Sequence, residues 1–92
     1  MNIVISPDFA YREESFGALF YSFAKRDLFL AKSPIVIPLL RLIPLGMDTN
    51  EMADELSQRG YARSSVLNTI DTLIHRGVLA SIATAPKGEE LE

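Results

Sequence analysis

The chain contains no cysteine and a single histidine. Without thiols there is no disulfide framework, no iron–sulfur ligation and no thiolate zinc site. His75 alone cannot assemble a histidine-rich metal centre within the chain. The five glycines stand singly, none in the spacing of a dinucleotide fingerprint or a P-loop, so nothing cradles a phosphate. Long apolar runs are also missing. The richest, IVIPLLRLIPL from Ile35 to Leu45, is interrupted by Pro38, Arg41 and Pro44 and falls short of the roughly 20 residues of a membrane span. The opening MNIVISPDF lacks the basic and apolar regions of a secretory signal. The expectation is a soluble, cytoplasmic chain with no membrane partner.

At 92 residues, 48% hydrophobic and 23% charged, the chain has the content of one small folded domain, assigned here to residues 1–85. Pro86 to Glu92 reads as a frayed tail, and its closing Leu91-Glu92 has the form of an expression scar. The net charge of −3 is misleading, because three of the twelve acids stand in the last five residues and leave nine acids against nine bases. A neutral body lacks the basic footprint of a duplex DNA binder, so no nucleic-acid partner is expected.

The first third of the chain alternates and the rest has helical period. From Phe16 to Phe23, Leu19, Tyr21 and Phe23 fall on one face and Phe16, Ala18, Phe20 and Ser22 on the other. Ala24 to Asp27 has the length of a hairpin loop, without an Asn-Gly or Asp-Gly signal. Asp27 to Ala31 returns as a strand and Phe9 to Arg12 precedes, which predicts a three-stranded meander. Ser33-Pro34 then reads as a helix start. Pro38 implies a kink unless the regular helix begins there. Asp48 with Glu51 has capping-box spacing, and Gly60 ends that second helix. Val66, Leu67, Ile70, Leu73 and Ile74 form the stripe of a third helix stopped by Gly77. The predicted fold class is α+β: a three-stranded antiparallel sheet followed by three helices, winged-helix-like in its arrangement.

Chemistry has few candidates. His75 is best explained as a helix C-terminal residue near Arg76, paired with Asp71 one turn earlier. No nucleophile elbow is present, and the adjacent acids Glu13-Glu14 and Glu89-Glu90 do not converge. The sequence argues against an enzyme.

Two binding readings follow. NEMADELSQRGYARSSVLNTIDTLIHRGVLA has the pattern of a helix-turn-helix whose recognition helix starts at Arg63, Ser64, Ser65 and Asn68. Against it, the hairpin precedes the helices, whereas the wing of such regulators follows the recognition helix. The other reading starts from the sheet, where Asp27 to Lys32 is the expected free edge. Its flanks carry Lys25, Arg26 and Lys32, but Leu28, Phe29 and Leu30 are unguarded, as a strand-addition site requires. Phe29 lies on the opposite face from Leu28 and Leu30, and its simpler explanations are cover by Ile3-Val4-Ile5 or a homodimer through the sheet. Leu28 and Leu30 have core burial as their simpler explanation. A dimerisation module without peptide ligand is the third possibility.

The stretch SPDFAYREESFGALFYSFAKRDLFLAKSPIV resembles the N-terminal half of the mycofactocin-system peptide chaperone family, in F-G-A-L-F-Y-S-F, in R-D-L-F-L-A-K and in the following I-V. More broadly, the order of elements is similar to the PqqD-like precursor-peptide recognition domains. The resemblance implies a non-catalytic chaperone that binds the leader of a ribosomally made precursor peptide and presents it to a radical S-adenosylmethionine maturase. It implies no cofactor here, since the iron–sulfur cluster belongs to the maturase. It further implies that the leader adds as a strand to Asp27, Leu28, Phe29, Leu30, Ala31 and Lys32. By helix order, Arg63, Val66, Leu67, Ile70 and Ile74 are then expected to line the cleft, and Lys25, Arg26, Lys32 and Arg63 suit an acidic leader.

Overall fold

Ala18, Phe20 and Ser22 alternate with Leu19 and Tyr21, and folding turns the first set fully into the interior. The computed structural model describes residues 1–82, so the expected tail from Pro86 lies outside the described residues. Strands β1 (Asn2–Ile5), β2 (Phe9–Glu14), β3 (Gly17–Ser22) and β4 (Asp27–Lys32) come first, and β5 (Leu79–Ile82) closes the described chain. Between them lie α1 (Val36–Leu42) with a 3₁₀ turn at Ile43–Leu45, α2 (Thr49–Gln58) and α3 (Arg63–His75). The expected α+β class, a three-stranded antiparallel sheet with three helices, is what the chain forms.

The meander runs β2-β3-β4, with Tyr11 opposite Phe20 and Phe20 opposite Phe29. β2 extends two residues past Arg12, and Phe16 sits in the turn rather than in β3. The loop Phe23 to Arg26 lacks turn-forming residues because a remote carboxylate organises it. Asp8 accepts the Ala24 N–H at 2.8 Å and the Ser22 hydroxyl at 2.7 Å, while Ser22 Oγ accepts the Lys25 N–H at 3.1 Å. Arg26 completes the loop with a φ of 52°.

A second, two-stranded sheet pairs β1 with β5, from Asn2 opposite Ile82 to Ile5 opposite Leu79. Ile3-Val4-Ile5 is therefore a strand partner for the C-terminal segment and not a lid on Phe29. Ile3 and Leu79 are buried in the main core, alongside Val78.

Pro38 causes no kink, and the helix starts ahead of it. It is the third residue of α1, where the N–H has no intrahelical acceptor to lose; the first such bond runs from Leu39 N–H to Ile35 O at 3.0 Å. Ser33 is displaced from the cap position by two residues, and its hydroxyl accepts the Ile35 N–H in the preceding turn. The Asp48 capping box forms as expected, with Asp48 Oδ1 accepting the Glu51 N–H and Glu51 Oε1 accepting the Asp48 N–H, both at 2.9 Å. The core then joins Phe20 of the sheet to Leu39 and Leu40 of α1, Met52 and Leu56 of α2, and Val66, Ile70 and Leu73 of α3. Among the described residues no helix is long and apolar enough to cross a membrane.

Candidate functional site

Backbone register decides what β4 offers to a ligand. Hydrogen-bonded and non-bonded pairs alternate along antiparallel strands. The Phe23 N–H donates to Asp8 O at 2.8 Å, directly across the β2–β3 register, which makes that a bonded pair. Tyr21, Leu19 and Gly17 follow it in bonding to β2, so Ala18, Phe20 and Ser22 bond to β4. Their partners Ala31, Phe29 and Asp27 therefore turn their N–H and C=O groups inward to the ladder. Leu28, Leu30 and Lys32 turn theirs outward. One local contact agrees: the Leu28 N–H is taken up by the neighbouring Asp27 Oδ1 at 3.0 Å. Since β4 ends the sheet among the described residues, this outward row is an unpaired edge there.

Side chains follow the same alternation. Phe29 and Ala31 share the inner face with Phe20 and are half-buried, whereas Leu28 and Leu30 are 57% and 52% exposed on the outer face. The core explanation thus fails for both leucines and holds in part for Phe29. The Phe29 ring stacks on Phe20 with centroids 5.1 Å apart, meets Phe9 edge-on at 6.4 Å, and carries the Arg76 guanidinium 4.5 Å above its centroid. The outer face, with Leu19, Tyr21 and Phe23 beside the two leucines, remains apolar and partly open to water.

Between β4 and α3 lies a cleft of about 250 Å³. Its sheet wall is Phe29 to Lys32, its floor includes Val36 and Leu73, and its helix wall is Asn68, Thr69, Thr72 and Arg76. The expected sheet wall and the expected helix are thus brought together, but through other helix positions. None of Arg63, Val66, Leu67, Ile70 and Ile74 lines this cleft. Val66 and Ile70 are fully enclosed in the core, and Leu67 and Ile74 pack against it from the margins. Arg63, at the far end of the helix, pairs with Asp54 and reaches Asn50 at 3.3 Å. The difference in lining has a simple cause: an apolar stripe marks the face that a helix buries, whereas this cleft is lined by the helix's flank. Asn68, Thr72 and Arg76 recur every four residues and lie along one row of α3, which was the available signal.

Among the described residues no group of acids and histidine is placed to hold a metal ion. His75 is exposed and makes no ion pair with Asp71, contrary to expectation.

The molecule is thus an α+β domain with an open sheet edge running beside a helix-walled cleft. The chain belongs to the peptide chaperone MftB family, whose model matches residues 3–80. This agrees with the mycofactocin-system resemblance, which runs from about Pro7 to Leu79 and is carried most specifically by the β3 and β4 segments. A comparison with curated proteins returned no match.

Proposed function

We propose that the protein is a non-catalytic chaperone of mycofactocin-type biosynthesis, taking the leader of a precursor peptide by strand addition to β4 and presenting it to a radical S-adenosylmethionine maturase. Residues 1–85 then act as one recognition domain of the PqqD-like kind. The observation that carries the reading is the outward-facing row Leu28, Leu30 and Lys32 on an edge that no other described strand pairs with, next to a cleft walled by α3. Main-chain pairing along such an edge supplies affinity, and pockets for alternate side chains supply selectivity. Family membership supports a peptide as the occupant. In this reading Phe29, Ala31, Asn68, Thr72 and Arg76 contact the leader, while Val66, Leu67, Ile70 and Ile74 support the helix from behind.

Calorimetry with a synthetic leader of a mycofactocin-type precursor peptide tests the proposal. The expected result is saturable binding at one leader per chain, with the peptide's mass unchanged after prolonged incubation. Absence of binding, or conversion of the peptide by this chain alone, contradicts it.

The exposed outer face favours a second reading, self-association through the sheet. Contiguous exposed apolar surface marks interaction sites. A dimer built that way buries Leu28 and Leu30, so Leu28→Glu is expected to return a sedimenting dimer to monomer. A wild-type chain that sediments as a monomer across its working concentrations removes this reading.

A further inference from the structure

We propose that Arg76 selects the bound peptide by pairing with one acidic side chain, seated at the inward-facing position beside Phe29. The inference rests on the peptide-chaperone reading and adds the chemistry of what the cleft accepts.

The arginines of this chain divide into two groups. Arg12, Arg41, Arg59 and Arg63 each pair with a carboxylate of the chain: Glu14, Glu13, Glu55 and Asp54 respectively. Arg26, in the β3–β4 loop, and Arg76 have no such partner among the described residues, and of the two Arg76 lines the cleft. Its guanidinium instead lies over the Phe29 ring, with Cζ 4.5 Å from the centroid, where cation–π attraction holds it without consuming its hydrogen-bond donors. The group is thus oriented in advance, in a cleft whose other charged lining residue is Lys32 and whose walls contain no acid. A cation placed in this way complements an anion brought by the ligand.

Geometry then sets which ligand position supplies the anion. A strand added to β4 lies about 4.8 Å from it and alternates its side chains between the two faces. Those on the inner face pass beside Phe29 and Ala31 and under the row Asn68, Thr72 and Arg76. The residue beside Phe29 meets Arg76 first, and an aspartate or glutamate there reaches the donors that the guanidinium leaves open. Asn68 and Thr72 offer polar contacts further along. Thr69 is already engaged, its hydroxyl donating to Ser65 O at 2.8 Å.

The test uses the full chain and the same synthetic leader, with each leader Asp or Glu replaced singly by Asn or Gln. Arg76 is exposed, so R76Q retains the fold, as a thermal melt will verify. The expected result is that R76Q weakens binding roughly tenfold, with R76K recovering part of the loss. One acid-to-amide replacement is expected to cost the same as R76Q on wild-type protein and nothing further on R76Q. Two outcomes overturn the inference while leaving the chaperone reading in place. In one, R76Q and every amide variant bind like wild type; in the other, R76Q weakens binding but each amide replacement adds its cost independently. A leader that does not bind wild-type protein overturns the chaperone reading, and this inference with it.

Discussion

Leu30→Pro is expected to weaken leader binding by roughly tenfold to a hundredfold while leaving the domain folded. The two halves of that expectation have separate causes. Residue 30 sits opposite Leu19 in a non-bonded pair, so its N–H points to the open edge and proline removes nothing from the β3–β4 ladder. Proline is tolerated on an edge strand in this orientation, and the preceding Phe29 is already extended, as the ring demands. A bound strand loses the donor that its carbonyl requires. Leaving a buried acceptor unsatisfied costs about 1–3 kcal/mol, with about 1.4 kcal/mol per tenfold in affinity. Two controls frame the result. Leu30→Ala keeps the N–H and exposes only the contribution of an outer-face side chain. Phe29→Pro removes a donor from the ladder itself and is expected to destabilise the sheet. Wild-type affinity in a folded Leu30→Pro protein sinks the edge assignment.

Gly17→Ala is expected to be the most damaging small substitution, costing on the order of 3 kcal/mol or more of stability. Gly17 opens β3 at a φ of +146°, a backbone conformation that side chains oppose. Its missing Cβ also matters for space. A Cβ built there falls 2.1 Å from the Ala31 carbonyl oxygen and 2.9 Å from the Ser33 nitrogen, both backbone atoms that cannot swing aside. The chain leaves β4 for α1 across this glycine, so relieving the clash displaces the end of the strand that walls the cleft. Gly60→Ala supplies the comparison. Gly60 also has positive φ, at +102°, but a Cβ there meets nothing within 4 Å, so only backbone strain of about 1 kcal/mol is expected. Equal urea midpoints for the two variants contradict the steric argument.

The meander was legible because alternation is a local property: Ala18, Phe20 and Ser22 reveal their face without reference to anything distant. The α2 start was legible for a similar reason, since Asp48 and Glu51 satisfy each other's backbone donors within one turn. The pairing of β1 with β5 was not. Asn2 meets Ile82 across nearly the whole described chain, and four-residue strands carry too short a pattern to announce a partner. Asp8 was missed as the organiser of the β3–β4 loop because its role depends on tertiary proximity to Ala24 and Ser22.

The candidate site divides along the same line. The edge Asp27 to Lys32 could be read from strand order and unguarded apolar residues, but which residues turn outward required the register. Hydrophobic periodicity on α3 identified Val66 and Ile70, which the core consumes. The cleft wall is the less conspicuous row Asn68, Thr72 and Arg76 beside it. Pro38 misled for a different reason. Propensity treats proline as a helix breaker, whereas in the first turn it gives up a donor that has no partner in any case.

The central claim is that an extended peptide adds to the β4 edge and fills the cleft against α3. A backbone amide NMR titration of the chain with the leader of a mycofactocin-type precursor peptide tests it most directly. The account predicts saturable shifts centred on the outward amides of Leu28, Leu30 and Lys32, extending to Asn68, Thr72 and Arg76, with the β1–β5 sheet unmoved. Spectra that stay flat, or shifts confined to the start of α3 around Arg63 to Ser65 that duplex DNA reproduces, would contradict it.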